Sequence, residues 1–144
     1  MAHNARASAA PFKTETVWND GLEGTGMAGE GQSLLVGHEG DWAPEHLLLL
    51  AAESCFMSTL LRLAAASGIE LLGYVSNGQL QVSDDAQVPV VLLSPCVVVA
   101  STADVEQIAR LGEKARRESV IALTLGDHLN VSLDIRLIPP SVSG

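Results

Sequence analysis

"PEHLLLLAAESCFMSTLLRLAAASG", residues 44–68, decides how this chain must fold. Pro44 stands where a first helical residue is favoured, because it has no N–H to leave unpaired. Gly68 is a natural C-terminal stop, so the spacing predicts one helix from 44 to Ser67. Leu47 to Leu50, Ala51, Ala52, Phe56, Met57, Leu60, Leu61 and Leu63 leave it almost no polar face. Such a helix belongs in the middle of a structure. It also carries Cys55, one of only 2 cysteines in the chain. Free cysteine is often a small apolar filler of a core. As a nucleophile it must be a thiolate, which needs a cation or hydrogen-bond donors beside it. Arg62 lies seven residues on, two turns away on nearly the same face. Ser58 and Thr59 occupy the turn between. Glu45, at the helix start, could orient an arginine.

Upstream, "FKTETVW" (12–18) alternates as a strand, and "SLLVGH" (33–38) is a second apolar run. The glycine-rich segment between them reads as turns, giving a hairpin or meander. Its "GTGMAG" (24–29) matches the GxGxxG pattern of dinucleotide-binding turns. That motif requires a helix straight after, whereas the next residues, "EGQSLLVGH", read as a strand. Downstream, "IELLGYVS" and "QLQVS" are joined by Asn77–Gly78, which predicts a two-residue hairpin. "VPVVLLSPCVVVAS" (88–101) is a strand in which Pro95 predicts a bulge or an edge position. A second helix is expected over about 103–117, with ion pairs Glu106/Arg110 and Glu113/Arg117 at i,i+4 spacing. "VIALTLG" could continue it after a break. "LNVSLDIRLIPP" alternates cleanly, as a strand with one buried face.

Strands, a buried helix, hairpin-linked strands, a helix and a strand indicate an α+β fold with largely antiparallel sheets. Residues 1–11 read as a flexible tail and 12–144 as a single domain. The 144 residues are 47% hydrophobic and 3% aromatic, so an aliphatic core is required. The surplus of aliphatics suggests apolar surface buried against a second subunit. A net charge of −9 argues against nucleic acid and anionic membranes as partners. The two cysteines make neither a disulfide framework nor a metal pattern, so no metal and no cofactor is expected. Cys96, inside an apolar strand, reads as packing. His38 and His46 read as surface residues, and His3 and His128 have no evident partners. The start lacks a signal-like apolar stretch, and Glu53 and Arg62 interrupt the leucine-rich helix as a membrane span. A cytoplasmic location is therefore the expectation.

"W18…G21…G24-T-G26" together with "G40-D-W-A-P44-E45-H-L47-L-L-L-A51-A52-E-S-C55-F-M" resembles the OsmC/Ohr family of organic-hydroperoxide reductases. The likeness is most specific over 40–61, and the element order agrees over roughly 14–138. It implies an α+β fold in which two chains intertwine, with sheets wrapped around long central helices and sites at the subunit interface. It implies a peroxidase in which a cysteine thiolate attacks a peroxide oxygen, an arginine held by a glutamate supports that thiolate, and a second cysteine resolves the product. Cys55 matches the reactive cysteine and Glu45 the glutamate. The family arginine belongs in the first hairpin, where this chain has Asp20 and Glu23. The resolving cysteine belongs after the second helix, in a stretch that here reads "ARRESVIAL".

Two functions are implied. The first is reduction of organic hydroperoxides through Cys55, with Arg62 as substitute cation, Glu45 as its orienter and an external thiol as reductant. The second is a divergent homodimer that binds a small hydrophobic ligand and keeps Cys55 as packing.

Overall fold

The computed structural model describes residues 12–29, 31–82 and 89–138. The tail 1–11, with His3, lies outside the described residues, as do Val88 and the two prolines of the closing segment. The chain divides into two compact units between Leu47 and Leu48.

In the first unit β1 (Glu15–Asp20), β2 (Glu23–Met27) and β3 (Leu34–Val36) form an antiparallel sheet in that order. The meander agrees with the sequence expectation. Gly21 makes the β1–β2 turn possible with φ 53, a left-handed conformation that side chains resist. Gly24 and Gly26 lie within β2 rather than in turns. The segment after "GTGMAG" leads to β3, so the helix that dinucleotide binding requires is absent there.

The helix α1 spans Pro44–Ala66 and passes into the second unit. It ends as expected: Gly68 has φ 73, and Ile69 N donates to Ala64 O at 2.9 Å. One stripe is buried, made of Ala52, Phe56, Thr59, Leu60, Leu63 and Ala64, at helical spacing. Leu48, Leu50 and Leu61 are exposed, so among the described residues one side of the helix is left uncovered. By length and composition α1 is enough to cross a membrane, Glu53 and Arg62 notwithstanding. Its buried stripe, however, joins the central apolar cluster of the second unit, as a core helix does.

That cluster is built on β5 (Val90–Val99), whose Val91, Leu93, Val97 and Val99 are buried. β4 (Gly73–Gln81) pairs antiparallel with β5 along its whole length. The hairpin expected at Asn77–Gly78 does not form, because Asn77 pairs with Ser94 and Gly78 with Leu93 inside the ladder. The glycine serves close packing instead: a Cβ there would meet Glu53 Oε1 at 2.8 Å and Leu49 Cβ at 3.4 Å. Nor does Pro95 mark an edge or a bulge. β5 is central and Pro95 is fully buried. On the side away from β4, β6 (Leu129–Val131) pairs with Val91–Leu93 and β7 (Asp134–Leu137) with Cys96–Val99. Pro95 falls in the gap between these partners, where no ladder N–H is required of it. Both pairings are parallel, so this sheet is mixed rather than largely antiparallel.

The last helices are α2 (Thr102–Glu118) and α3 (Val120–Leu125), with Ser119 as the break between them. Ile108, Gly112 and Ala115 form the buried face of α2. Neither expected ion pair closes; Lys114 meets Glu118 at 3.7 Å, an exposed contact worth little.

Candidate functional site

Cys55 is a half-buried free thiol on α1. Its Sγ donates to Ser119 Oγ at 3.4 Å. Ser119 is buried and acts as a cap twice. Its backbone N–H closes α2 on Ala115 O, and its Oγ accepts from Ala122 N at 3.1 Å to open α3. The cap pins the hydroxyl where the thiol meets it. Thr59, one turn on, turns its hydroxyl back to Cys55 O at 2.9 Å and leaves the sulfur alone.

Arg62 is exposed, and it makes no hydrogen bond or ion pair among the described residues. Glu45 is exposed in the first turn of α1, likewise without such a partner. The described residues therefore give the Cys55 sulfur a hydrogen bond to a neutral hydroxyl and none to a cation. Arg116, another basic residue near the end of α2, is committed to structure. Its Nη2 donates to Gly126 O at 2.9 Å and to Leu129 O at 2.8 Å. Among the described residues no group of three His, Cys, Asp or Glu side chains stands ready to hold a metal ion.

The second thiol has a different setting. Cys96 Sγ lies 3.7 Å from Asp134 Oδ2, which also accepts from Arg136 Nε at 3.0 Å. Among the described residues of this unit, two hollows are notable. One, of about 210 Å³, lies among Phe56, Gly112, Arg116 and Leu133. The other, of about 230 Å³, is lined mainly by Leu48, Leu80, Pro89, Val91 and Leu125, with Thr124 and His128. Cys55 lines neither.

Sequence reasoning singled out Cys55 and missed Ser119. A serine before "VIAL" is a readable helix start, and the family resemblance puts the resolving position in the same "ARRESVIAL" stretch, which was the available sign that Ser119 meets the thiol 64 residues earlier.

Fold and thiol together define an α+β domain with a reactive-cysteine candidate on its core helix. The chain belongs to the OsmC-like protein family, whose model matches residues 37–134. Its fold is similar to that of an OsmC-like protein of unknown function from Vibrio cholerae, with a TM-score of 0.72 at 17% identity over 87% of this chain and 99% of that one. It is similar to an organic hydroperoxide resistance protein from Elizabethkingia anophelis, with a TM-score of 0.69 at 17% identity over 91% and 99% of the two chains. The organic hydroperoxide resistance protein OhrB of Bacillus subtilis gives 0.65 at 16% identity over 88% and 98%. No curated protein matches the chain.

Proposed function

We propose that this protein is a thiol-dependent peroxidase that reduces organic hydroperoxides through Cys55. The observation that carries the reading is Cys55 itself, at the family's cysteine position, only half-buried and held by a fixed hydroxyl. Relatives of the same fold named for organic hydroperoxide resistance support it. The thiolate sulfur attacks the terminal peroxide oxygen. An S–O bond forms as the O–O bond breaks, the alkoxide takes a proton and leaves as an alcohol, and Cys55 becomes a sulfenic acid. That group faces a hydroxyl and not a second thiol. Its reduction therefore uses external thiols: the first displaces water to form a mixed disulfide, and the second releases Cys55 as the thiol. Arg62 supplies the cation by swinging to the sulfur from the exposed, unengaged position it holds among the described residues. Glu45 does not orient it: the two stand at opposite ends of one unbroken helix, about 25 Å apart along its axis. A reducing cytoplasm suits a cycle with one cysteine.

A homodimer with sites at the subunit interface belongs to the same proposal. Exposed Leu48, Leu50 and Leu61 on α1 and Val120 and Leu123 on α3 support it as surface that asks for cover.

The test is to treat reduced protein with one equivalent of cumene hydroperoxide in the presence of dimedone. The reading expects one equivalent of cumyl alcohol and a dimedone adduct on Cys55. An adduct on Cys96 alone, or none, contradicts it.

A second reading rests on the hollow of about 230 Å³, which is apolar and not lined by the thiol. There a divergent member would bind a small hydrophobic ligand, with Cys55 as packing. That ligand would raise the melting temperature of Cys55→Ser as much as that of the parent.

A further inference from the structure

We propose that the Ser119 hydroxyl is a catalytic group: it donates a hydrogen bond to the Cys55 thiolate and holds that thiolate for attack. The proposal rests on the reading of Cys55 as the peroxidatic thiol and adds a residue to it.

Ser119 Oγ accepts from two donors, Ala122 N at 3.1 Å and Cys55 Sγ at 3.4 Å. Its own proton has no acceptor among the described residues. In the neutral state the thiol donates and the hydroxyl accepts. When Cys55 loses its proton the acceptor becomes the sulfur, and the hydroxyl needs only to rotate about its C–O bond to donate to it. Nothing else has to move, because the cap to α3 fixes the oxygen and Ser119 is 2% exposed. The N–H already bound to Oγ polarises the hydroxyl and strengthens its donation, so N–H, O–H and sulfur act in series. A hydrogen bond to the charged form favours that form. This fits a thiol that, among the described residues, makes no hydrogen bond to a guanidinium.

A merely structural Ser119 would matter through the cap alone, and the pH dependence of thiol reactivity separates the two roles. The rates of Cys55 alkylation by iodoacetamide and of its oxidation by cumene hydroperoxide are measured on the full chain at pH 7 and pH 9.5. Ser119→Ala is expected to slow both reactions about tenfold or more at pH 7, with the deficit shrinking at pH 9.5. Ser119→Thr, which keeps the hydroxyl, is expected to recover most of the rate. A Ser119→Ala protein as fast as the parent at pH 7 overturns the proposal and leaves the peroxidase reading standing. A parent protein whose Cys55 reacts no faster than free cysteine overturns the peroxidase reading, and Ser119's part in it. Ser119→Cys gives an answer even if the alanine variant fails to fold. Peroxide should then convert the 55–119 pair to a disulfide, releasing water and leaving the chain about 2 Da lighter than its reduced form. Persistence of two free thiols at these positions after oxidation overturns the contact on which the proposal stands.

Discussion

Cys55 and Cys96 are both half-buried free thiols in the same unit, yet one has a neutral neighbour and the other a charged one. Cys55 meets a neutral hydroxyl that a backbone N–H holds in place, whereas Cys96 meets the Asp134 carboxylate. An arginine does stand near Cys96, but it belongs to the carboxylate. Arg136 is held above its usual value first by its hydrogen bond to Asp134 and then by the nearby Cys96. A charged neighbour therefore gives a thiol little help when an opposite charge has already claimed it. A fixed neutral donor can give more, because it competes with nothing.

The largest expected effect separates the two thiols outright. Cys55→Ser should reduce peroxide consumption to the buffer background, while Cys96→Ser should stay within about twofold of the parent, as a substitution away from the reacting sulfur. Comparable losses in both variants would break the contrast. Next comes Arg62→Ala, expected to slow Cys55 oxidation about tenfold, because the reading has its guanidinium close on the thiolate at a subunit interface where water screens it less, with Arg62→Lys recovering part of the rate. An unchanged rate would remove Arg62 from the site and leave the hydroxyl as the sole support from this chain.

A smaller effect is expected at the other thiol. Asp134→Asn removes the carboxylate and frees Arg136, so alkylation of Cys96 should rise about fivefold, the worth of one unit charge at contact distance in water. Peptide mapping by mass spectrometry reads the two cysteines separately. No change would mean that Asp134 is not what holds Cys96 back.

The smallest effect sets the upper pH at which the thiols can be compared. Tyr74, paired with Val97 one position beyond Cys96 on β5, has a buried hydroxyl without a hydrogen-bond partner among the described residues. Burial, with Glu53 adding to it, pushes its pKa up to about 12. The unfolded chain ionises this group near 10, lower than the folded one. Its contribution to stability is therefore present below about pH 10 and is lost as pH rises toward 12. Urea titrations should show stability falling across that window, and Tyr74→Phe should flatten the fall.

Much of this was legible from residues acting locally. Pro44 and Gly68 set the ends of α1 because each imposes its own backbone conformation. The β1–β3 meander and the break between α2 and α3 were readable in the same way. The misreadings arose where a distant partner overrode a local preference. Asn77–Gly78 is a turn signal in isolation, but the crowding of Glu53 and Leu49 above Gly78 makes it a point of close approach within a strand. Pro95 signals an edge until the gap between β6 and β7 is known, and two short strands cannot be distinguished from one in an alternating segment. At the site, Cys55 was visible as a chemical type in a family-like pattern. Ser119 was legible only as part of the stretch that stands where the family's resolving cysteine belongs; that its hydroxyl is the group at the sulfur depends on how α1 meets the α2–α3 joint.

The most direct measurement is the rate of Cys55 oxidation at pH 7 under stopped flow, with cumene hydroperoxide and hydrogen peroxide compared on one preparation and Cys55→Ser as control. The account predicts oxidation far faster than that of free cysteine, confined to Cys55 and faster with the organic peroxide. A rate equal to that of free cysteine with both oxidants would contradict it, leaving a chain that keeps the family fold without the chemistry.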